Sequence, residues 1–361
     1  MAKHFYPLTI SDIRNETTDC VSVAFHIPEH LKEEFKFKAG QNITLRSHIL
    51  GEDVRRSYSI CSSPYENELR IAIKKVEEGL FSSHAHTQFK INEVLDVMAP
   101  TGNFILPLQG DNKKHYVAFA AGSGITPVIS ILKTVLKEEP LSRFTLIYGN
   151  RTRASVIFRE ELLALKNDFP DKFQLVNIFS REKMDAEVFE GRIDVEKCET
   201  IFSQLVPFVP GQEYLLCGPA EMIFSVRDWL IKRNVEEKKI HFELFSDPGT
   251  SDFKVKKINL ETKTLSLKKS TVTIRLDGVS TEFQIPAEGP TVLEAAIQAG
   301  ADLPYACRAG VCATCRATLV SGKVTMDPNY ALAEEELEQG FILACQAHPA
   351  SEKLVIDFDI R

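Results

Sequence analysis

Cys307-Arg-Ala-Gly-Val-Cys312-Ala-Thr-Cys315, answered by Cys345 after 29 further residues, decides the reading of this 361-residue chain. The C-x4-C-x2-C…C spacing lets one tight loop offer three thiolates and a distant segment a fourth, which suits the two irons of a [2Fe–2S] cluster. The residues between and beside the cysteines are small: Ala306, Ala309, Gly310, Ala313 and Ala344. Small neighbours let backbone N–H groups approach the sulfides, a contact that sets reduction potential. A structural zinc site favours paired short spacings, and a disulfide framework belongs to small secreted domains. The cluster is the better match, and a cluster implies electron transfer.

Upstream and downstream of that loop, residues 270–361 read as one module. Thr271–Leu276 and Glu282–Ile285 alternate like strands, Thr291-Val-Leu-Glu294 is a capping box for a helix stopping at Gly300, and a short acidic helix is expected near Ala333–Glu338. Before it, Asp247-Pro-Gly-Thr-Ser-Asp252 and a Lys-rich run to Lys269 read as a linker over 247–269. Residues 110–246 alternate apolar runs (Tyr116–Ala121, Arg143–Gly149, Phe173–Phe179, Glu213–Cys217) with helical patterns, which predicts βαβ units on a parallel sheet. In the helix after Gly124, Val128, Ile131, Leu132, Val135 and Leu136 share one face, and Pro127 suits the first turn. Residues 1–109 string short β-rich runs between turns (Phe5–Ile13, Cys20–Ile27, Asn42–Ser47, Arg56–Cys61, Glu68–Lys75), as in a small antiparallel barrel.

The net charge of −7 lies entirely in Thr271–Arg361, while residues 1–270 balance. So acidic a module disfavours nucleic acid as a partner; it fits a basic protein surface or simply a solvated face. The first residues carry no apolar core of a signal peptide, and the most apolar stretch, Val117–Leu132, is broken by Gly122, Gly124 and Pro127. Cys20, Cys61, Cys198 and Cys217 are scattered singly, as expected of reduced thiols in a cytoplasmic protein.

Six strings carry further chemistry. Gly122-Ser-Gly124-Ile-Thr126-Pro127 lies where a strand gives way to a helix, so its glycines and the helix N-terminus could receive a pyrophosphate, although Pro127 stands where the full G-x-G-x-x-G fingerprint has its last glycine and a tight turn reads the same way. Tyr148-Gly-Asn-Arg151 and Ser180-Arg181-Glu182 each follow an apolar strand; Arg181 with the Ser180 hydroxyl could grip a 2′-phosphate, or sit in solvent. Cys217-Gly218-Pro219 could shape a loop flush with a flat ring, or Cys217 could be a buried structural thiol. In the first segment, Tyr58 of Arg56-Ser-Tyr58-Ser59 can stack on a flavin, with Ser59 near its N5 and Arg56 on a phosphate, and Gly79-Leu-Phe-Ser82 offers a glycine turn with a hydroxyl.

Taken with Glu243-Leu-Phe245, these strings resemble, in content and order, the ferredoxin–NADP reductase superfamily, here fused to a C-terminal plant-type ferredoxin. Chains of that layout are oxygenase reductases. Tyr148-Gly-Asn-Arg-Thr152 and Ser155-Val-Ile-Phe-Arg-Glu-Glu-Leu162 look most like reductases of phenylacetyl-CoA epoxidation, and the steroid 9α-hydroxylase reductases share the layout.

The resemblance implies an antiparallel β-barrel FAD domain, an α/β parallel-sheet NADP domain and a β-grasp ferredoxin domain. It implies Tyr58 and Ser59 at the flavin ring and Arg56, Gly79 and Ser82 at its ribityl-pyrophosphate arm. NADPH would lie on Gly122, Gly124, Thr126, Pro127 and Arg151, its 2′-phosphate on Ser180 and Arg181, its nicotinamide by Cys217, Gly218 and Pro219. Glu243 and Phe245 match the E-x-aromatic pair that closes over the flavin, with Phe in place of the usual Tyr and leading into a linker. Electrons would run from NADPH through FAD and the cluster on Cys307, Cys312, Cys315 and Cys345 to a separate diiron oxygenase, since no residue set here suits a diiron centre or CoA. Service to another oxygenase or a hybrid-cluster protein stays open, as does a redox sensor that binds its cofactors without turnover.

Overall fold

The computed structural model describes residues 4–245, 269–286 and 288–360, so the expected linker lies, except for Lys269, outside the described residues. The first six strands are β1 (Phe5–Thr17), β2 (Cys20–His26), β3 (Asn42–Ile49), β4 (Glu52–Ser59), β5 (Leu69–Lys74) and β6 (Val94–Met98), with helix α1 (Leu80–Gln88) between the last two. Their sheet runs β4-β3-β6-β1-β2-β5. An Ile60↔Ile71 bridge, with Cys61 N–H donating to the Arg70 carbonyl at 2.8 Å, joins its two ends and closes the barrel. The sequence reading finds five of these strands and not β6.

Alternation decides what each side of the barrel meets. Along β2 and β5, Val21, Val23, Phe25, Leu69, Ile71 and Ile73 fill the barrel. The intervening Cys20 and Ala72 join Cys61 in packing against the next domain. That second layer holds the parallel strands β7 (His115–Ala121), β8 (Arg143–Asn150), β9 (Phe173–Phe179), β10 (Glu213–Gly218) and β11 (Ile240–Leu244), with helices α2 (Ile125–Glu138), α3 (Arg159–Asp168), α4 (Val195–Gln204) and α5 (Ala220–Lys232). The buried face of α2 seats Val128, Ile131, Leu132 and Val135 in the shared core, and Ser130 Oγ donates to the Ser62 carbonyl at 2.6 Å across the domain boundary. The two domains therefore share packed surface rather than a loose hinge. β11, like β6, is an added strand that the sequence reading does not find.

The strand order β11-β10-β7-β8-β9 reverses between β7 and β10. Ligands of open α/β sheets bind at the carboxyl ends of strands at such a reversal.

The third domain comprises β12 (Lys269–Leu276), β13 (Val279–Pro286), α6 (Val292–Gln298), β14 (Arg316–Ser321), β15 (Val324–Met326), α7 (Glu334–Glu338), β16 (Phe341–Leu343), β17 (Ala347–Pro349) and β18 (Lys353–Asp357). Its main sheet, β13-β12-β18-β14-β16, mixes a parallel β12/β18 pair with antiparallel neighbours, and Val292, Leu293 and Ala296 of α6 pack on it. The Thr291–Glu294 capping box is present, and α6 ends before Gly300 as expected. Among the described residues, no helix is long and apolar enough to cross a membrane.

Candidate functional site

The cysteine loop lies between α6 and β14. Cys312, Cys315 and Cys345 are buried and Cys307 is partly exposed. Their thiols neighbour one another, Cys307 beside those of Cys312 and Cys345, and Cys345 beside that of Cys315. Among the described residues, no three His, Cys, Asp or Glu side chains converge on one point as for a single ion. Four cysteine thiols in this sequence spacing suit the two irons of a [2Fe–2S] cluster. The loop holds this form because Gly310, at φ +72°, takes a left-handed turn where a Cβ would fall 2.6 Å from the Pro328 carbonyl oxygen. The Ala309 N–H donates to Cys307 Sγ at 3.4 Å, and the Thr314 hydroxyl lies 3.2 Å from Cys312 Sγ.

At the carboxyl ends of β7 and β10 two loops face each other. Gly122–Gly124 form a tight turn into α2, pinned by the Tyr148 hydroxyl donating to the Gly122 carbonyl at 2.9 Å and by Thr126 Oγ1 donating to the Ser123 carbonyl at 3.0 Å. Pro127 falls in the first turn of α2, where its missing N–H costs nothing. Opposite, Cys217-Gly218-Pro219 leads into α5. Cys217 is fully buried, in register with Ala120 and Glu243, and burial pushes its thiol well above the usual range. At the ends of β8 and β9, the Arg181 N–H donates to the Arg151 carbonyl at 2.9 Å, so the two exposed arginines lie side by side. Arg153 pairs with Glu182 at 3.1 Å, whereas Arg151 and Arg181 carry no ion pair among the described residues. Ser180 is exposed beside them and its hydroxyl donates to the Asn150 carbonyl at 3.4 Å.

A cleft of ≈ 670 Å³ opens where all three domains meet, lined by Arg56, Ser59 and Leu80 of the barrel, Glu243 on β11 with Phe245 just after it, and Tyr305, Cys307 and Cys312 of the third domain. Ser59 Oγ donates to Glu243 Oε2 at 2.9 Å, so residues 184 positions apart meet across the cleft. Burial lifts the Glu243 carboxyl to about 8, against the pull of that bond, so it keeps its proton at neutral pH. Arg56 is exposed and its Nη1 donates to the Arg55 carbonyl at 2.7 Å. Tyr58 packs against Phe81 with ring centroids 5.8 Å apart. Gly79 caps α1, and the Ser82 hydroxyl accepts from the Val76 N–H at 3.0 Å.

Comparison with known proteins agrees with this geometry domain by domain. Residues 7–105 match the oxidoreductase FAD-binding domain, residues 119–228 the oxidoreductase NAD-binding domain and residues 274–350 the 2Fe-2S iron-sulfur cluster binding domain. One subunit of the 1,2-phenylacetyl-CoA epoxidase of Escherichia coli (strain K12) is 41% identical over 99% of this chain and 98% of its own length. This chain belongs to the ferredoxin–NADP reductase superfamily, in the form that carries a fused [2Fe–2S] ferredoxin. As a member of that superfamily it is an NAD(P)H-dependent oxidoreductase using FAD, a pyridine nucleotide and a [2Fe–2S] cluster. The ferredoxin reductase component of 3-ketosteroid-9-alpha-monooxygenase from Rhodococcus rhodochrous is 32% identical over 97% of this chain and 96% of its own length. In fold, the superfamily member resembles phthalate dioxygenase reductase (TM-score 0.58, 24% identity, 98% of each chain). It also resembles an intact type IV self-sufficient cytochrome P450 monooxygenase (TM-score 0.69, 21% identity), covering 98% of this chain and 41% of that longer one.

The structure thus gathers Arg56, Ser59, Glu243, Phe245, Cys307 and Cys312 at one cleft, and the Gly122–Pro127 and Cys217–Pro219 loops at one crevice. Tyr58 lies beside the cleft on Phe81 rather than on its lining. Sequence reasoning does not single out Arg55, Thr44, Ser57 or Thr314, which are among the residues that join barrel and ferredoxin domain: the Thr314 hydroxyl lies 3.2 Å from that of Thr44 and 3.4 Å from that of Ser57. Their partners lie about 250 or more positions away, and nothing local marks them.

Proposed function

We propose that this chain is the reductase subunit of a phenylacetyl-CoA epoxidase complex, passing electrons from NADPH through FAD and [2Fe–2S] to a diiron oxygenase carried on another polypeptide. The observation that carries the reading is the shared cleft, where Ser59, Glu243 and the Cys307–Cys312 loop face one another. The end-to-end match to the 1,2-phenylacetyl-CoA epoxidase relative supports the choice of oxygenase. The modules would be residues 1–109, 110–246 and 270–361, joined by 247–269. A cytoplasmic site, where thiols stay reduced, suits the cluster.

When bound, FAD supplies conversion between the two-electron chemistry of the nicotinamide and one-electron transfer, and the cluster accepts electrons singly. The residues supply placement. Arg56, exposed on β4, and the N-terminal turn of α1 at Gly79 and Ser82 would receive the pyrophosphate arm of FAD. Tyr58, beside the cleft, would offer its ring to the isoalloxazine, and Ser59, hydrogen-bonded to the protonated Glu243, would place its hydroxyl near the ring. Phe245 lines the same cleft and would close over the flavin. Gly122, Gly124, Thr126 and Pro127 would receive the NADPH pyrophosphate at the N-terminus of α2, and Gly218 and Pro219 over buried Cys217 would face the nicotinamide. Cys307, Cys312, Cys315 and Cys345 would hold the two irons.

Arg151, Ser180 and Arg181 would select NADPH through its 2′-phosphate. A charge-assisted contact is worth roughly 1.5–3 kcal/mol. Arg181→Ala is therefore expected to lose about ten- to a hundredfold in kcat/KM for NADPH and little for NADH, by steady-state kinetics. Equal use of both nucleotides by the wild type would remove the assignment. Tyr58→Ala removes an aromatic contact worth about 1 kcal/mol beyond its area, and gel filtration should strip FAD from it more readily than from wild type. A full flavin complement with an unchanged spectrum would mean that Tyr58 does not stack.

The choice of oxygenase is tested by reconstitution. Adding the epoxidase's oxygenase subunits, NADPH and phenylacetyl-CoA should give oxygen consumption that depends on all three. Activity only with a 3-ketosteroid oxygenase would favour the second relative instead.

A further inference from the structure

Arg55 is one of several barrel residues that make polar links to the ferredoxin domain, with Thr44, Ser57 and Asn103, and its links reach the segment leading into the cysteine loop. Arg55 is next to Arg56 on β4, and strand alternation turns it to the opposite face. It is 5% exposed, and its whole guanidinium fork is engaged. On the barrel side, Nε and Nη2 donate to Asp53, the shorter bond being 2.8 Å. On the ferredoxin side, Nη2 donates to Asp302 Oδ1 at 2.8 Å and Nη1 to the Leu303 carbonyl at 3.1 Å. The guanidinium also lies 4.3 Å from the centroid of the Tyr305 ring. Asp302, Leu303 and Tyr305 are the segment that runs straight into Cys307. Asp53 fixes the orientation of the fork, and the free half of the fork reaches the root of the cysteine loop.

We propose that Arg55 is a positioning residue for electron transfer, docking the root of the cluster loop on the barrel so that Cys307 and Cys312 face the flavin cleft. The role rests on the proposed path from FAD to the cluster. In that step one electron leaves reduced flavin and enters the oxidised cluster, and no further reactant is needed. Arg55 would act through the loop it holds, setting the distance between the two groups. Arg46 adds only a 4.0 Å contact to Asp302, so it cannot replace the fork.

The test compares wild type, Arg55→Met, Arg55→Lys and Asp302→Asn as holoenzymes. Asp302 is 72% exposed, so its change probes the link from the ferredoxin side without disturbing a core. Hydrogen exchange of residues 302–308 and small-angle scattering report docking directly. FAD content, ferricyanide turnover and cytochrome c turnover report the electron path. Loss of a charge-assisted link shifts a docking equilibrium by roughly ten- to a hundredfold. Arg55→Met should exchange faster over 302–308, show a larger radius of gyration, and lose about tenfold in cytochrome c turnover. Ferricyanide turnover and FAD content should stay near wild type. Arg55→Lys, with charge but no planar fork, should fall between, and Asp302→Asn should show the same pattern more weakly. Wild-type exchange and cytochrome c turnover in both Arg55→Met and Asp302→Asn would overturn the proposal, as would loss of FAD and ferricyanide turnover in step with cytochrome c. A wild type that passes no electrons to cytochrome c would refute the electron path itself, and the exchange and scattering data would still decide whether Arg55 docks the domain.

Discussion

Cys345→Ala is expected to lose its iron and almost all delivery of electrons to an oxygenase, while still oxidising NADPH with ferricyanide at near the wild-type rate. Cys345 follows β16 and comes to the loop from 29 residues beyond Cys315, so no neighbouring thiol can take its place. Its thiol neighbours those of Cys307 and Cys315. Without it the three loop thiolates should not retain both irons. The barrel and α/β domains have cores to which Cys345 does not belong, and it packs only within the ferredoxin domain. They should fold and bind their nucleotides as before. Iron analysis and visible absorbance report the cluster, and the two acceptors report where the path is cut. Cytochrome c turnover should fall by about tenfold or more, on the scale of losing an essential group. Comparable partner turnover by an iron-free variant would mean that the flavin feeds the oxygenase directly.

Much of this architecture is legible because each piece carries a local physical signature. The cysteine spacing is dictated by cluster geometry, the capping box by the unpaired N–H groups at the start of α6, and the face of α2 by a period near 3.6. What escapes is what local pattern does not encode. Strands β6 and β11 are five residues each, and their identity comes from pairing with β1 and β10, far along the chain. The adjacent Arg55 and Arg56 must point to opposite faces of a strand, but only the packed structure says that Arg55 is the buried one. Cys217 shows the limit from the other direction. Its place beneath the crevice agrees with the motif, yet its thiol is walled in by neighbouring strands, so the surface it offers a ring is the backbone of Gly218.

Gly124→Ala tests that surface, and a large effect is expected from a single methyl group. The φ of Gly124 is −61°, a value any residue adopts, so the glycine is not there for conformational freedom. It is there for space: a Cβ would fall 2.1 Å from the Cys217 carbonyl oxygen and 2.7 Å from the Gly218 nitrogen. Both are backbone atoms in a strand end, and neither can swing aside. The turn into α2 and the Cys217–Pro219 loop must therefore separate, and these are the two banks of the nucleotide crevice. Overpacking of this kind costs roughly 1–3 kcal/mol. The greater consequence is positional, because a misplacement of about 1 Å can lower a rate by roughly a hundredfold. Flavin reduction by NADPH in stopped flow should slow by about that factor, with a raised KM. The barrel cradle and the cysteine loop lie elsewhere, so FAD content, iron content and the spectrum of the dithionite-reduced protein should match wild type. If Gly124→Ala reduces its flavin at the wild-type rate, the two loops do not need their close approach, and the crevice between β7 and β10 is not where the nicotinamide meets the flavin.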